Sequence, residues 1–229
     1  VRHIRKEQRV ARSAHECPKR CGHHDRPVEP MTAAPTDRSY WVVPGRFAAG
    51  AYPNTRESAP DERIEVVEML LAAGIDDFVN LTQDRPGGTD EHLRHYDGAV
   101  GDRGTVSRFE IPDLGVPSVS KMTVVLDHLD CELDAGRSVY VHCWGGIGRT
   151  GTVVGCWLIR HGKATADDVM EVIADLRVGD RGAGHRLSPE TAEQRAFVQA
   201  WTEVDSGSTD SALIRLADTD VAQRERGCA

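Results

Sequence analysis

Val139-Tyr140-Val141-His142-Cys143-Trp144-Gly145-Gly146-Ile147-Gly148-Arg149-Thr150-Gly151 decides how this 229-residue chain is read. The first residues are β-branched and aromatic, and they predict a buried strand. A glycine-rich turn follows, and the apolar periodicity after it predicts a helix over 150–161, stopped by Gly162. A strand running through such a loop into a helix N-terminus builds an anion cradle. Glycines let the backbone curl so that successive N–H groups face one point, and the helix dipole adds positive potential.

Cys143 opens that loop, where a thiolate is favoured. Arg149 closes it with a planar fork suited to two phosphate oxygens, and Thr150 can hydrogen-bond the sulfur. Trp144, Gly145, Gly146, Ile147, Gly148 and Arg149 would line the bound phosphate. A lone cysteine at a strand end is usually a core residue, but here it coincides with loop glycines, the arginine and the strand–loop–helix order. Residues 146–151 also fit the G-x-G-x-x-G pattern of dinucleotide sites, which requires a strand after the helix. Another helix, over 165–177, is predicted there instead, and no Gly-Lys-Ser/Thr of a nucleotide P-loop occurs.

Outward from the loop, strands are predicted over 40–43, 46–49, 77–81, 108–111 and 138–141. Helices are predicted over 61–73, 118–135 with Ser118 as cap, and 188–204 with Pro189 in the first turn. This alternation implies an α/β fold with a mostly parallel central sheet covered by helices on both faces. Residues 1–38 and 206–229 are polar and aperiodic and read as tails, leaving 39–205 as the working domain. Met31 stands just before the first strand, and the working domain is expected to begin near it rather than at Val1. The glycine-rich loop 179–184 reads as mobile.

The net charge of −8 argues against nucleic acid or an anionic membrane surface as main partner, although a small basic pocket remains compatible with it. No apolar run approaches the roughly 20 residues that span a bilayer. Six scattered cysteines without a signal segment predict reduced thiols and a cytoplasmic location. Cys17, Cys21, His23 and His24 invite a zinc reading, but their cramped spacing favours a metal-free tail.

His142-Cys143, five residues, then Arg149-Thr150-Gly151 resembles the signature loop of the protein tyrosine and dual-specificity phosphatases at every defining position. The resemblance implies a cysteine-dependent phosphomonoester hydrolase with a cysteinyl-phosphate intermediate and no metal or organic cofactor. Its substrate would be a phosphorylated protein, at phosphotyrosine, with phosphoserine and phosphothreonine left open by the unread depth of the pocket. It further implies an acid on a loop some thirty residues upstream, and Asp113 in Pro112-Asp113-Leu114-Gly115 falls there, with Asp84 and Asp102 as weaker candidates. Gln194 matches a later glutamine of the family, while Glu190 occupies the place of the residue that positions the hydrolytic water. His142 is expected to support the loop backbone. Cys156, two turns along the next helix, is expected in the core, and a redox role for Cys131 stays open. Two alternatives remain: a phosphatase for inositol, sugar or RNA 5′ phosphates, and a non-catalytic phospho-binding module. The absence of an extra loop cation argues against phosphoinositides.

Overall fold

The computed structural model describes residues 33–54 and 64–203. Their centre is a five-stranded sheet in the order β1-β2-β5-β3-β4, with β1 Ser39–Val43, β2 Phe47–Gly50, β3 Asp77–Asn80, β4 Thr105–Arg108 and β5 Val139–His142. The β1–β2 hairpin is antiparallel, and every other pairing is parallel. Gly50 and Asn80 both pair with His142, so the C-terminal ends of β2, β5 and β3 finish level. Ligand sites of open parallel sheets form along that edge.

Side chains alternate across β5. Val139 and Val141 join a core with α3 (Val119–Asp134), α4 (Gly148–Arg160), α5 (Val169–Leu176) and α6 (Ala192–Gln199). Tyr140 faces the other core, with α1 (Glu65–Ala72) and the short α2 (Asp97–Val100). Helices therefore cover both faces, as the alternating pattern implied. Helix α4 is buried from Gly148 through Leu158, which makes it the central helix of its layer.

Several predicted boundaries are corrected. The strand expected over 108–111 ends at Arg108, because Phe109 and Ile111 leave the sheet while their amides still bind Asn80 O and Leu81 O. The last helix begins after Thr191, which forms a capping box with Gln194, so Pro189 lies ahead of it in a loop. Residues 33–38, assigned to the tail, pack on the domain: Thr36 is buried and Ala33 O accepts the Trp41 indole N–H. The loop 179–184 is tied down rather than loose, since Asp180 accepts the Gly182 and Ala183 amides and the Arg177 guanidinium binds Ala183 O and Arg186 O. Cys143 and Cys156 are free thiols, whereas Cys131 is disulfide-bonded, against the expectation of reduced thiols throughout. The residues of the zinc reading lie outside the described part of the chain. Among the described residues no helix is long and apolar enough to cross a membrane, and no group of three or more candidate ligands could hold a metal.

Candidate active site

The residue after β5 is Cys143, 3% exposed in a cleft of ≈ 470 Å³ whose lining includes Asp113, Trp144, Arg149 and Gln194. The loop's carbonyls are taken up by surrounding elements. Trp144 O accepts from the Tyr52 amide at 2.9 Å, Gly145 O from Arg38 Nη2 at 3.1 Å, and Ile147 O from Ser188 Oγ at 2.8 Å. The amides of residues 144–147, by contrast, donate to no acceptor among the described residues. Carbonyls spent on the outside and amides left over are what an oxyanion cradle requires. Gly146 makes the curl possible: its φ is +70°, and a Cβ there would lie 2.4 Å from the Gly50 carbonyl carbon.

Arg149, predicted to close the loop, is buried and held from three directions. Its Nη1 and Nη2 bind the Asp90 carboxylate in a fork at 2.7 and 3.0 Å, Nη1 also reaches Ile111 O at 3.1 Å, and Nη2 meets Asp113 Oδ1 at 2.8 Å. Burial disfavours the guanidinium charge, but the Asp90 hydrogen bonds and the nearby Cys143 sulfur outweigh it and raise its pKa. Burial likewise pushes the Asp90 carboxyl up, and its hydrogen bonds from Arg149 and the Gln83 amide bring it below its ordinary value. The pair is therefore ionised on both sides.

Asp113 sits on the loop between β4 and α3, tied at three points. Its amide donates to Thr89 Oγ1 at 3.1 Å, Ile111 O is bound by Arg149, and Gly115 O accepts Gln194 Nε2 at 3.0 Å. The two weaker acid candidates lie elsewhere. Asp84 is buried and engaged by Tyr52, Asn80 and Arg108, and Asp102 lies exposed on the turn that precedes β4, at the opposite sheet edge.

His142 is fully buried. Tyr96 Oη lies 2.6 Å from its Nε2, and its Nδ1 is 3.4 Å from Cys143 O, so the ring ties the loop start to the α2 side. Burial depresses its pKa to about 3, so the imidazole is neutral. Thr150 Oγ1 is buried without a hydrogen-bond partner among the described residues. The Gln194 amide is already engaged, Oε1 by the Thr191 amide and Nε2 by Gly115 O. Glu190 faces the cleft but pairs with Arg186 at 2.6 Å. Burial pushes the Cys156 thiol up, consistent with a core position.

Asp90, Thr89, Arg38 and Arg186 escaped the sequence reading. Asp90 follows Pro86-Gly87-Gly88-Thr89, which signals only a turn, and nothing local links it to Arg149, 59 positions away.

Residues 36–198 match the family model described as PTP-SAK, Swiss Army Knife protein, DSP-PTPase phosphatase domain. The chain is 31% identical over 146 residues, 60% of its length, to the dual specificity protein phosphatase CDC14B of Mus musculus. It is 34% identical over 101 residues, 44% of its length, to the phosphatidylglycerophosphate phosphatase PTPMT2 of Arabidopsis thaliana. It spans 27% and 41% of these two relatives' own lengths. Among solved structures, Tk-PTP in its active form superposes with a TM-score of 0.50 at 27% identity, over 67% of this chain and 89% of that one.

Proposed function

We propose, given that this chain belongs to the DSP-PTPase family of cysteine-based phosphatases, that it dephosphorylates phosphoproteins, phosphotyrosine foremost. The observation that carries this reading is the union of a Cys143-headed loop whose amides are unspent with a buried, ionised Arg149 in one cleft. In the first step the Cys143 sulfur attacks phosphorus and the P–O bond to the leaving group breaks. The Asp113 carboxyl gives its proton to the departing oxygen, which otherwise leaves as an unstable anion. Arg149 and the loop amides hold the non-bridging oxygens, whose charge grows in the transition state. In the second step water attacks the cysteinyl phosphate, its proton returns to Asp113, and inorganic phosphate leaves with the S–P bond broken. The unpartnered Thr150 hydroxyl donates to the sulfur as it departs.

A protein substrate is favoured by the mouth of the cleft. The Trp144 indole is 53% exposed beside the nucleophile, and the equally exposed Leu114 lies next to the acid, which together offer apolar walls to an aryl leaving group. A second reading, hydrolysis of a non-protein phosphoester, draws support from the PTPMT2 relative. One assay set separates them. Phosphotyrosine peptides, inositol phosphates and a phosphatidylglycerophosphate should rank in that order of kcat/KM. Cys143→Ser should abolish all turnover, by at least roughly 10⁴-fold, while vanadate still binds. Turnover that survives Cys143→Ser defeats the mechanism, and a reversed ranking defeats the substrate class.

A further inference from the structure

The Trp144 indole is a large apolar group on a glycine-rich loop, 53% exposed at the mouth of the cleft. Its backbone is fixed, because Trp144 O accepts the Tyr52 amide at 2.9 Å. Its side chain needs a support of its own, since the next two residues, Gly145 and Gly146, bring no side chains to brace it. Among the described residues its aromatic partner is His92. The two ring centroids lie 5.5 Å apart with the planes at 83°, an edge-to-face pair. His92 is half-buried and is not part of the cleft lining, so it meets the indole from outside the space a substrate enters.

The setting of His92 says what this contact does. Its Nε2 is buried with no hydrogen-bond partner among the described residues, so that nitrogen is not what ties the ring in place. The turn that carries His92 is fixed by its own bonds. The Asp90 amide donates to Gln83 O at 3.2 Å, the Gln83 amide returns to the Asp90 carboxylate at 3.0 Å, and the Leu93 amide donates to Asp90 O at 2.9 Å. The Leu93 side chain anchors the turn in the core that holds Tyr52 and Tyr96. Asp90, two positions before His92, also grips Arg149. One turn thus sets both the guanidinium that clamps phosphate and the indole that stands beside it. An indole already packed on a ring has given up its rotamer freedom before substrate arrives, so less is lost on binding.

We infer that His92 is a positioning residue that sets a preference for aryl phosphates. It holds the Trp144 indole at the side of the cleft, where the indole packs on the ring of an aryl leaving group and gains little from a short alkyl one. This rests on the phosphatase reading above and deepens it, naming a residue outside the cleft that makes one wall selective.

The full chain tests this with two inhibitors that cannot be hydrolysed, phenylphosphonate and methylphosphonate, each measured by competition against p-nitrophenyl phosphate. The wild type should bind the phenyl compound roughly tenfold more tightly. His92→Ala should lower that ratio roughly three- to fivefold. Methylphosphonate binding and the kcat of p-nitrophenyl phosphate should stay within about twofold of wild type, while the KM of p-nitrophenyl phosphate rises. His92→Gln, which keeps much of the volume without the ring, should match His92→Ala and covers a folding defect in the smaller variant. His92→Phe should keep the wild-type ratio. In a Trp144→Ala background, His92→Ala should change the ratio no further. An unchanged ratio in His92→Ala and His92→Gln, a lost ratio in His92→Phe, or an effect that persists without the indole each overturns the inference. So does a wild type that binds both phosphonates alike, which also removes the apolar wall. Wild-type turnover of p-nitrophenyl phosphate separates these failures from that of the phosphatase reading, which predicts Cys143-dependent turnover whatever the phosphonates show.

Discussion

The loop 143–149 and the wall around it meet at one cleft but are built in different ways. The loop is contiguous in sequence, and its geometry follows from a strand end, glycines and a helix start. The wall is assembled from Asp90, Asp113 and Gln194, each from a different stretch of chain and each held by partners far away in sequence. The loop supplies donors for an oxyanion whatever the leaving group. On the mechanism proposed above, the wall decides how Arg149 is aimed and where a proton is available. Damage to the loop should therefore abolish function uniformly, whereas damage to the wall should be selective.

Short of removing the nucleophile itself, the largest effect is expected from Gly146→Ala. The substitution places a Cβ 2.4 Å from the Gly50 backbone and forces an L-residue to hold φ +70°. The amides lose their common focus, so kcat/KM should fall at least about 10²–10³-fold for every substrate, and vanadate affinity should fall with it. A loss restricted to some leaving groups would show that the loop is not the uniform device described.

Asp113→Asn should act on the wall alone. With a poor leaving group, such as an alkyl phosphate, kcat should drop roughly 10²-fold or more, and with p-nitrophenyl phosphate only severalfold. The variant also removes the carboxylate that meets Arg149 Nη2 at 2.8 Å, so vanadate should bind as well as before or better. Equal slowing of both substrates would remove Asp113 from the acid role.

This contrast also explains how much could be read from the residues. The loop and its flanking strand and helix were legible because their signals are local: apolar run, glycines, then apolar periodicity at helical spacing. The mostly parallel sheet followed from the same alternation. Gln194 was picked out, but its engagement by Thr191 and Gly115 was not, because a side chain's partners depend on tertiary packing. Asp90 carried no signal, since an acid in a Gly-Gly-Thr-Asp turn looks like turn chemistry until the fold brings Arg149 beside it. Arg38 was lost to the tail because nothing near it in sequence shows that a loop more than 140 residues later holds it in place.

Asp90→Asn tests the long-range part directly. The asparagine keeps the size but withdraws the charge facing a buried guanidinium, leaving Arg149 with Ile111 O and Asp113. Misaiming of the fork should cost roughly 10–10²-fold in kcat/KM across leaving groups, with weaker vanadate binding. Asp90→Glu should restore part of it. A purely structural role would instead lower the melting temperature and leave the kinetics of the folded fraction intact.

The smallest effect concerns the joint between the two regions, where His142 links the loop to Tyr96. Its folded pKa of about 3 lies below the ordinary 6.5, so the unfolded chain binds a proton that the folded chain refuses. The neutral buried ring is therefore compatible with stability above about pH 6.5, and stability falls as pH drops from there toward 3, by roughly 1.4 kcal/mol per pH unit from this group. His142→Asn removes the titration. Its unfolding free energy, measured by urea denaturation between pH 6.5 and 5, should decline less steeply than that of the wild type by about that slope. Its absolute stability at neutral pH should be lower, for want of the ring's contacts with Tyr52, Tyr96 and Tyr140. Parallel curves for the two proteins would mean that His142 takes up its proton inside the fold, and that the loop start is more open to water than its burial indicates.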